Sequence, residues 1–249
     1  MQNRSVLGLT ASPSKPAAVA AVAAEDLVTA RKALSKIKVV YEELPGVYDP
    51  EEAMKKGAAV VHDYAPDNIV KHIPVRKGDV NAGFANADLI LEDYFSTQQV
   101  EHAYLEPEAG IAYVDPDDVV VVISPSQNIT HHRHMLSHIL GLPINKVRFI
   151  MSPVGGGFGG KEDMIYQGML AVVAMKTHRP VQLNFTREES IIASAKRHPS
   201  CVHYKMGLKW NGEITAIQFK MISDGGAYGM SSEGVMRKAA IMSCGPYEV

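Results

Sequence analysis

A glycine-rich loop constrains this chain more than any other segment. Residues 152–163 read S-P-V-G-G-G-F-G-G-K-E-D, with five glycines in six positions. The loop lies between a predicted strand, 147–151, and a predicted helix, 163–176. Each glycine costs backbone entropy, so we interpret the cluster as a tight path for close approach of another molecule, not as a packing feature. Its N–H groups and the positive end of the following helix would suit an anion.

Two general anion-binding patterns fit this loop incompletely. Gly155, Gly157 and Gly160 fit the dinucleotide fingerprint, but no acidic residue ends a second strand about 20 residues further on. Residues 155–161 fit the start of the phosphate-loop pattern, but Glu162 stands where that pattern needs a Ser or Thr hydroxyl. A nucleotide-binding protein therefore stays an alternative, which failure to bind ATP with magnesium would exclude.

The composition excludes several classes of protein. The 249 residues are 46% hydrophobic and 21% charged, as in ordinary globular domains with a sizeable core. The formal net charge is −2, without the basic excess of nucleic-acid binders. No apolar run is long enough to span a bilayer, and we interpret the alanine-rich segment 16–24 as a strand, so the expected location is the cytoplasm. Two cysteines cannot hold an iron–sulfur cluster, which needs four ligands.

Local signals predict a mixed order of strands and helices. At the front we expect a strand, a helix capped by Asp26, a second strand and a short helix after Asp49. An irregular polar segment follows, and strands dominate from about residue 88. The Asn211-Gly212 dipeptide predicts a hairpin. The predicted strands are 17–24, 38–43, 89–96, 110–114, 119–123, 147–151, 202–210 and 213–223, and the longer helices are 26–36, 129–140 and 163–176.

Several segments together resemble one family. The octapeptide G-G-G-F-G-G-K-E at 155–162 is similar to the signature of the molybdenum hydroxylases, the xanthine dehydrogenase and aldehyde oxidase family. Other segments resemble that family in the same order, and the front unit is similar to the end of its α/β hammerhead domain. These other segments are EHAYLEP at 101–107, SPSQN at 124–128, LGLP at 140–143 and THRPV at 177–181.

The resemblance covers about residues 17–249 and implies an α+β fold. It implies the end of a truncated α/β hammerhead domain at 1–60 and a linker at 61–84. The first part of a molybdenum-cofactor-binding domain, with mixed sheets and packed helices, would follow at 85–249. The chain would thus be an N-terminal-side fragment of the molybdenum-binding subunit.

The resemblance also implies roles for residues of the loop. Gly156, Gly157, Phe158 and Gly159 would bind the cofactor, with the Phe158 backbone amide facing the molybdenum. Glu162 matches a carboxylate that hydrogen-bonds the heterocyclic substrate in xanthine-type members. Its alternative interpretation is a first-turn acid favoured by the dipole of the following helix.

Two positions depart from the family pattern. A glutamine often precedes the Glu-His pair, but Val100 stands there, and the nearest candidate for cofactor binding is Gln99. Counting back from Gly245, Lys238 occupies the place of a substrate-binding arginine, with Arg237 beside it. Lysine keeps the charge but loses the bidentate fork of arginine.

The resemblance implies an enzyme that hydroxylates an N-heterocycle such as a purine. Molybdenum–molybdopterin would be shared with a missing region or a partner chain, and iron–sulfur and FAD centres would lie on partner subunits. The general base is expected beyond Val249, so this chain would contribute no catalytic residue. We expect other subunits and a small heterocyclic substrate as partners, with a homo-oligomer as a further option, but neither nucleic acid nor membrane. The alternative is a catalytically inactive scaffold fragment that only docks partner subunits.

Four histidines fall in the predicted helix 129–140. His131, His134 and His138 share one face, which resembles metal-ligand spacing. Zinc sites normally add cysteine or acidic ligands from elsewhere. We therefore interpret this face as the polar side of an amphipathic helix, and we interpret His102 as a packing residue near the site.

Overall fold

The computed structural model describes residues 2–8, 17–229, 231–243 and 245. They form two units: the first comprises 1–44 and 101–197, and the second comprises 45–100 and 198–249. Cys244, Pro246 and Tyr247 lie outside the described residues. Each unit combines segments that are distant in sequence, and the predicted domain boundaries at 60 and 84 stay a prediction.

Strands and helices alternate irregularly along the chain, as expected for an α+β fold. A short 3₁₀ turn at Ile144–Lys146 precedes the seventh strand. None of the described helices is both long and apolar enough to cross a bilayer. The elements are β1 (Gln2–Gly8), β2 (Ala17–Ala24), α1 (Leu27–Leu34), α2 (Pro50–Ala53), α3 (Val80–Ala85), β3 (Leu89–Thr97), β4 (Val100–Glu101), β5 (Ala109–Val114), β6 (Val120–Ser124), α4 (Ile129–Leu140), β7 (Val147–Met151), α5 (Gln167–Thr177), β8 (Val181–Asn184), α6 (Arg187–Ala193), β9 (Lys196–Arg197), β10 (Ser200–Leu208), β11 (Ile214–Ser223) and α7 (Ser232–Met242).

The first unit is built on a six-stranded mixed sheet in the order β2-β1-β8-β5-β6-β7. β5 and β6 cover the predicted strands 110–114 and 119–123 and pair as an antiparallel hairpin. β6 and β7 are parallel, so the chain must cross over between them, and α4 makes that crossover. The glycine-rich loop leaves from the carboxyl end of β7, which places it at one edge of the sheet.

Helices α4 and α5 pack on this sheet through one apolar cluster. Leu136 of α4 and Leu170 of α5 are buried with Val122 and Val147 of the strands. The Asn128 side chain caps α4, and Gly141 ends this helix with a left-handed backbone, φ +63°.

The first unit includes an ion pair between the two ends of its segment 101–197, which we call the central segment. Lys196 Nζ lies 2.6 Å from Glu101 Oε2. The Ser194 hydroxyl also donates to both oxygens of the Glu101 carboxylate, at 3.2 and 3.1 Å. The chain positions 101 and 196 are therefore held together by charge-assisted contacts.

The second unit contains a three-stranded antiparallel sheet in the order β11-β10-β3. Its β10–β11 hairpin turns at Asn211-Gly212 with φ +90° at Gly212, which confirms the predicted turn. Helix α3 packs on β11 so closely that a Cβ at Gly83 would lie 2.4 Å from the Thr215 carbonyl oxygen. Asp79 caps α3. The sequence analysis did not predict this helix, and it begins inside the segment 61–84 that was expected to be a linker.

Two local predictions were wrong, and one strand was missed. Residues 38–43 form no strand, and Val40 is 96% exposed, since no neighbouring strand pairs with this segment among the described residues. The helix predicted to begin at 163 begins at Gln167. Strand β1, which the sequence did not predict, pairs with β2 over its whole length.

The core makes a direct stability prediction. Leu136 is fully buried, so Leu136→Ala should lower the free energy of unfolding by about 2–5 kcal/mol, the usual cost of a cavity at such a site. Leu44→Ala is the matched control, because Leu44 is 68% exposed. Urea unfolding followed by circular dichroism measures both, and equal losses would contradict the assignment of the core.

Candidate functional site

The glycine-rich loop is separated from the helix that follows it. Residues 161–166 lie between Gly160 and the start of α5 at Gln167. The Gln167 side chain accepts the backbone N–H groups of Ile165 and Tyr166, at 3.0 and 3.1 Å, and so sets that helix start. The prediction that the helix begins directly after the loop is therefore wrong.

Gln127 holds one side of the loop. Its Oε1 atom accepts the backbone N–H groups of Gly159 at 3.0 Å and Lys161 at 3.1 Å. Its own backbone N–H donates to the Lys161 carbonyl at 3.0 Å. A Cβ at Gly157 would lie 2.3 Å from the same Oε1 atom, so Gly157 must be glycine while Gln127 occupies this place.

Glu106 holds the other side of the loop. Its Oε2 atom accepts the Gly155 N–H at 2.8 Å and pairs with Lys161 Nζ at 2.6 Å. Lys161 Nζ also donates to the Glu106 carbonyl at 3.0 Å. The Lys161 side chain is only 3% exposed, so the pair is shielded from solvent on that side and its Coulomb attraction is weakly screened.

Tyr104 lies beneath the loop. A Cβ at Gly160 would lie 2.7 Å from its Cε1 atom, and Lys161 Nζ lies 4.6 Å from its ring centre. Burial and the hydrogen bond to the Glu108 carboxylate raise the pKa of Tyr104 far above its usual range, so its hydroxyl stays a donor to Glu108. The ring is thereby fixed as a support for the loop.

These contacts correct the interpretation of the glycines. Gly155, Gly157 and Gly160 are required by packing, because a Cβ at each would lie within 2.7 Å of a side chain of this protein. Gly156 and Gly159 are required by their positive φ angles, +96° and +98°. The close approach that the sequence predicted is therefore partly an approach of the chain to itself.

The middle of the loop keeps unbonded donors. The N–H groups of Gly156, Gly157 and Phe158 have no hydrogen-bond partner within the described ranges, although the amides of Gly155 and Gly159 on either side are bonded. Phe158 has a left-handed backbone, φ +54°, and its side chain is 75% exposed. The loop thus presents three consecutive free donors beside an exposed aromatic ring.

Glu162 follows the loop with its carboxylate exposed. It lies five residues before α5, so the alternative interpretation as a first-turn acid is wrong. Its backbone carbonyl is held by His132 Nε2 at 2.8 Å, and its N–H contacts the Gly159 carbonyl at 3.5 Å. The backbone of Glu162 is therefore anchored while its side chain faces solvent.

His132 is a buried histidine that the sequence did not distinguish from its neighbours. Its side chain is inaccessible and packs edge-on against Phe149 at 5.2 Å between ring centres. Burial lowers the pKa of His132, and its Nδ1 atom has no partner within the described part of the chain. His132 is thus neutral, with Nε2 as the donor to Glu162.

Gln99 and Lys238 belong to the second unit. Gln99 lies between β3 and β4, Lys238 lies on α7, and both are exposed. Arg237, beside Lys238, lies 3.5 Å from Glu233, which also pairs with Lys71 at 3.0 Å. The roles of Gln99 and Lys238 stay predictions.

The buried Lys161 also bears on the nucleotide-binding alternative. A phosphate-loop lysine must reach phosphate, but Lys161 Nζ is already bound to Glu106. Releasing it would break the ion pair of a buried lysine, which is costly. The geometry therefore argues against a phosphate loop.

Known proteins place this architecture in one class. Residues 61–249 match the molybdopterin cofactor-binding domain. The match spans more than half of the chain, which therefore belongs to the molybdenum hydroxylase family through this domain. The resemblance seen in the sequence is confirmed.

Similar proteins come from several bacteria. The chain is 37% identical over 232 residues to the nicotinate dehydrogenase large molybdopterin subunit of Eubacterium barkeri, which covers 93% of the chain and 54% of that protein. It is 34% identical to a probable xanthine dehydrogenase subunit from Bacillus subtilis, over 93% of the chain and 31% of that protein. The chain thus spans about half or less of the length of these relatives.

A solved structure confirms the fold class. The aldehyde oxidoreductase of Desulfovibrio gigas superimposes with a TM-score of 0.80 and 28% identity, over 85% of this chain and 23% of that one. The α+β architecture with mixed sheets is the one expected from the sequence.

Sequence reasoning missed the side chains that shape the loop. Gln127, Glu106 and Tyr104 lie in two of the segments that resemble the family, but the sequence alone indicates no role for them. His132 differs from the exposed His131 and His134 only in burial. The glycine run was a signal for these contacts, since several entropically costly glycines indicate that bulky side chains lie close to the loop. The sequence does not indicate which side chains these are.

Gln127 and Gly157 should be energetically coupled. Gly157→Ala should destabilise the protein because the new methyl group meets Gln127 Oε1. In a Gln127→Ala background the same substitution should cost less by at least about 1 kcal/mol, since the obstructing atom is gone. Urea unfolding of the four proteins of this double-mutant cycle measures the coupling, and strictly additive losses would contradict the geometry.

His132 should make stability depend on pH. The pKa of His132 is lowered from an ordinary value of 6.5. Between these two pKa values the unfolded chain binds more protons, so the free energy of unfolding falls as pH falls below 6.5. The urea midpoint should therefore drop between about pH 7.5 and about pH 5.5 by more in the native chain than in His132→Gln. His138→Gln, on an exposed position of α4, should keep the native drop.

Proposed function

We propose that this chain supplies part of the cofactor and substrate site of a molybdenum hydroxylase that acts on an N-heterocycle such as a purine. One observation carries the proposal. Side chains bind the amides on both sides of the glycine-rich loop, and the three amides between them, at 156–158, stay free. These three donors are therefore available to a ligand that accepts hydrogen bonds.

The free amides fit the oxygen-rich molybdenum–molybdopterin cofactor. Positive φ angles at Gly156 and Phe158 alternate with a non-positive one at Gly157, the pattern of a backbone concavity that binds anionic groups. The Gly156, Gly157 and Phe158 amides would hold the cofactor, with Gly159 completing the turn. When bound, the cofactor supplies the redox chemistry of hydroxylation, and the protein positions the cofactor and substrate and polarises the reacting groups.

The conformation of Phe158 supports a ligand at this place. A left-handed backbone costs a non-glycine residue roughly 1–2 kcal/mol. The exposed ring buries too little surface within the described unit to offset that cost. Strain of this kind concentrates at functional sites, where it fixes a donor for a ligand.

Glu162 would orient the substrate. Its exposed carboxylate can accept a hydrogen bond from a ring N–H, while the His132 contact keeps its backbone fixed. Lys238 would add a cationic contact to the substrate, and Gln99 would contact an oxygen ligand of the cofactor. The general base would come from outside these residues.

The whole enzyme would include further chains or regions. Iron–sulfur and FAD centres on partner subunits would accept the electrons. Within this chain we assign 1–60 to the end of a hammerhead domain, 61–84 to a linker and 85–249 to the first part of the cofactor-binding domain. We place the enzyme in the cytoplasm.

Molybdenum content tests the cofactor proposal directly. We expect nearly one molybdenum per chain, by elemental analysis, when the chain is purified together with the subunits encoded beside it. The loop amides should then exchange hydrogen more slowly than in the chain alone. No metal under either condition would contradict the proposal and leave the scaffold alternative.

Substitution of Glu162 tests the substrate proposal separately. In the assembled enzyme, Glu162→Gln should lower kcat/KM for a purine about 10- to 100-fold, because a hydrogen bond to a charged group is lost. Molybdenum content should stay unchanged. Glu25→Gln, an exposed substitution on the segment before α1, should leave both values as they are. Unchanged kcat/KM in a fully loaded Glu162→Gln enzyme would overturn the role of Glu162 but not that of the loop.

A further inference from the structure

The chain contains a long stretch without acidic residues. Aspartate and glutamate outnumber lysine and arginine by 27 to 25 overall, yet residues 119–161 contain neither acid. The same stretch contains four histidines and the basic residues Arg133, Lys146, Arg148 and Lys161. Only Lys161 has a carboxylate partner among the residues that the structure describes. Arg133 of α4 and Arg148 of β7 therefore carry positive charge without an ion-pair partner among the described residues.

Two of these basic residues, Arg133 and Arg148, line a cleft in the first unit. The cleft has a volume of about 390 Å³ and lies against α4 and β7. Its polar lining consists of Thr130, Arg133, His134, Asn145 and Arg148, and no carboxylate lines it. Val147 and Phe149 add apolar surface. The volume falls within the range of small-molecule sites, roughly 300–1,000 Å³.

Arg133 is oriented within this cleft by the backbone. Its Nε atom donates to the Val147 carbonyl at 2.8 Å, and its Nη2 atom donates to the Ile144 carbonyl at 2.7 Å. Both acceptors are uncharged carbonyl oxygens, so they do not neutralise the positive charge of Arg133. These two hydrogen bonds also leave the Nη1 donors of Arg133 unused. A fixed guanidinium loses little side-chain entropy when it binds a ligand.

Arg148 supplies the second guanidinium. It is exposed on β7, and no ion pair of Arg148 occurs in the described parts of the chain. β7 is the edge strand of its sheet, so no further strand covers this side. Arg148 lies near the amino end of β7, whereas the glycine-rich loop leaves from the carboxyl end. The cleft is therefore separate from the loop, and what it binds does not depend on the proposed function.

We propose that this cleft binds a small molecule with an oxyanion group, a carboxylate or a phosphate, attached to a compact apolar body. The guanidinium groups match the two oxygens of such an anion. His134, Asn145 and Thr130 offer further polar contacts, and Val147 and Phe149 offer apolar contact. A concave site of this volume favours a small ligand over an acidic face of another protein, which would need a broad and flat surface.

Nuclear magnetic resonance of the full chain tests the proposal. The probes are sodium benzoate, sodium phosphate and the neutral isostere benzamide, each titrated at constant ionic strength. Benzoate or phosphate should shift the amide signals of Arg133, Arg148 and Phe149 saturably in the millimolar range. Benzamide should not, because it lacks the anion. Tighter binding of benzoate than of phosphate would identify a carboxylate ligand, and the reverse order a phosphate ligand.

Matched variants make the test specific. Arg148→Gln should weaken binding about tenfold or more, since a charge-assisted hydrogen bond is lost. Arg179→Gln removes the same charge from an exposed residue that does not line the cleft, and it should bind like the native chain. Arg133→Lys keeps the charge without the fork and should weaken binding less than Arg148→Gln, while an unchanged melting temperature shows that its fold is intact.

Three results would overturn the proposal. The first is an anion response that does not saturate or that equals the benzamide response. The second is identical binding by the Arg148→Gln and Arg179→Gln variants. The third is a poly-glutamate peptide that shifts these signals while both small anions do not, which would make the surface a protein-docking face.

Discussion

The loop geometry depends on two acceptors, the carboxylate of Glu106 and the amide oxygen of Gln127. Each accepts donors from a different side of the glycine-rich loop. A side chain at Gly157 would collide with the Gln127 amide oxygen, and one at Gly155 would collide with the Cβ atom of Glu106. The ion pair with buried Lys161 fixes Glu106, and Tyr104 supports the loop from below. These contacts satisfy the amides on either side of residues 156–158. The donors at 156–158 are therefore free because of their position between the two acceptors, and not because the residues are mostly glycine.

The sequence predicts best what short-range chemistry determines. The caps at Asp26 and Asp49 and the Asn211-Gly212 turn formed as expected, since each needs only neighbours within a few residues. The prediction of a strand at 38–43 was wrong because a strand needs a neighbouring strand to pair with, and no described strand pairs with this segment. The start of α5 failed because a side chain at its own first residue occupies the preceding amides.

The candidate site was predictable only in part. The loop and its family resemblance were visible in the sequence, and they pointed to Phe158 and Glu162. The clamp residues were not, because Gln127 and Glu106 lie more than 30 positions before the amides that they accept. His132 was hidden as well, since nothing in its sequence context separates a buried histidine from exposed ones. A local sequence pattern indicates the glycine-rich loop itself, but it does not indicate the distant side chains that hold the loop in place.

The contact between Glu101 and Lys196 has a consequence for the order of folding. The second unit is discontinuous, and its β3 and β10 strands are joined through the whole central segment of the first unit. In a disordered chain, closing a loop of that length costs entropy before any strand pairing is gained. Once the central segment has folded, its ends are already together, and that cost no longer opposes the pairing of β3 with β10. Folding of the first unit should thus precede and favour the pairing of strands in the second unit.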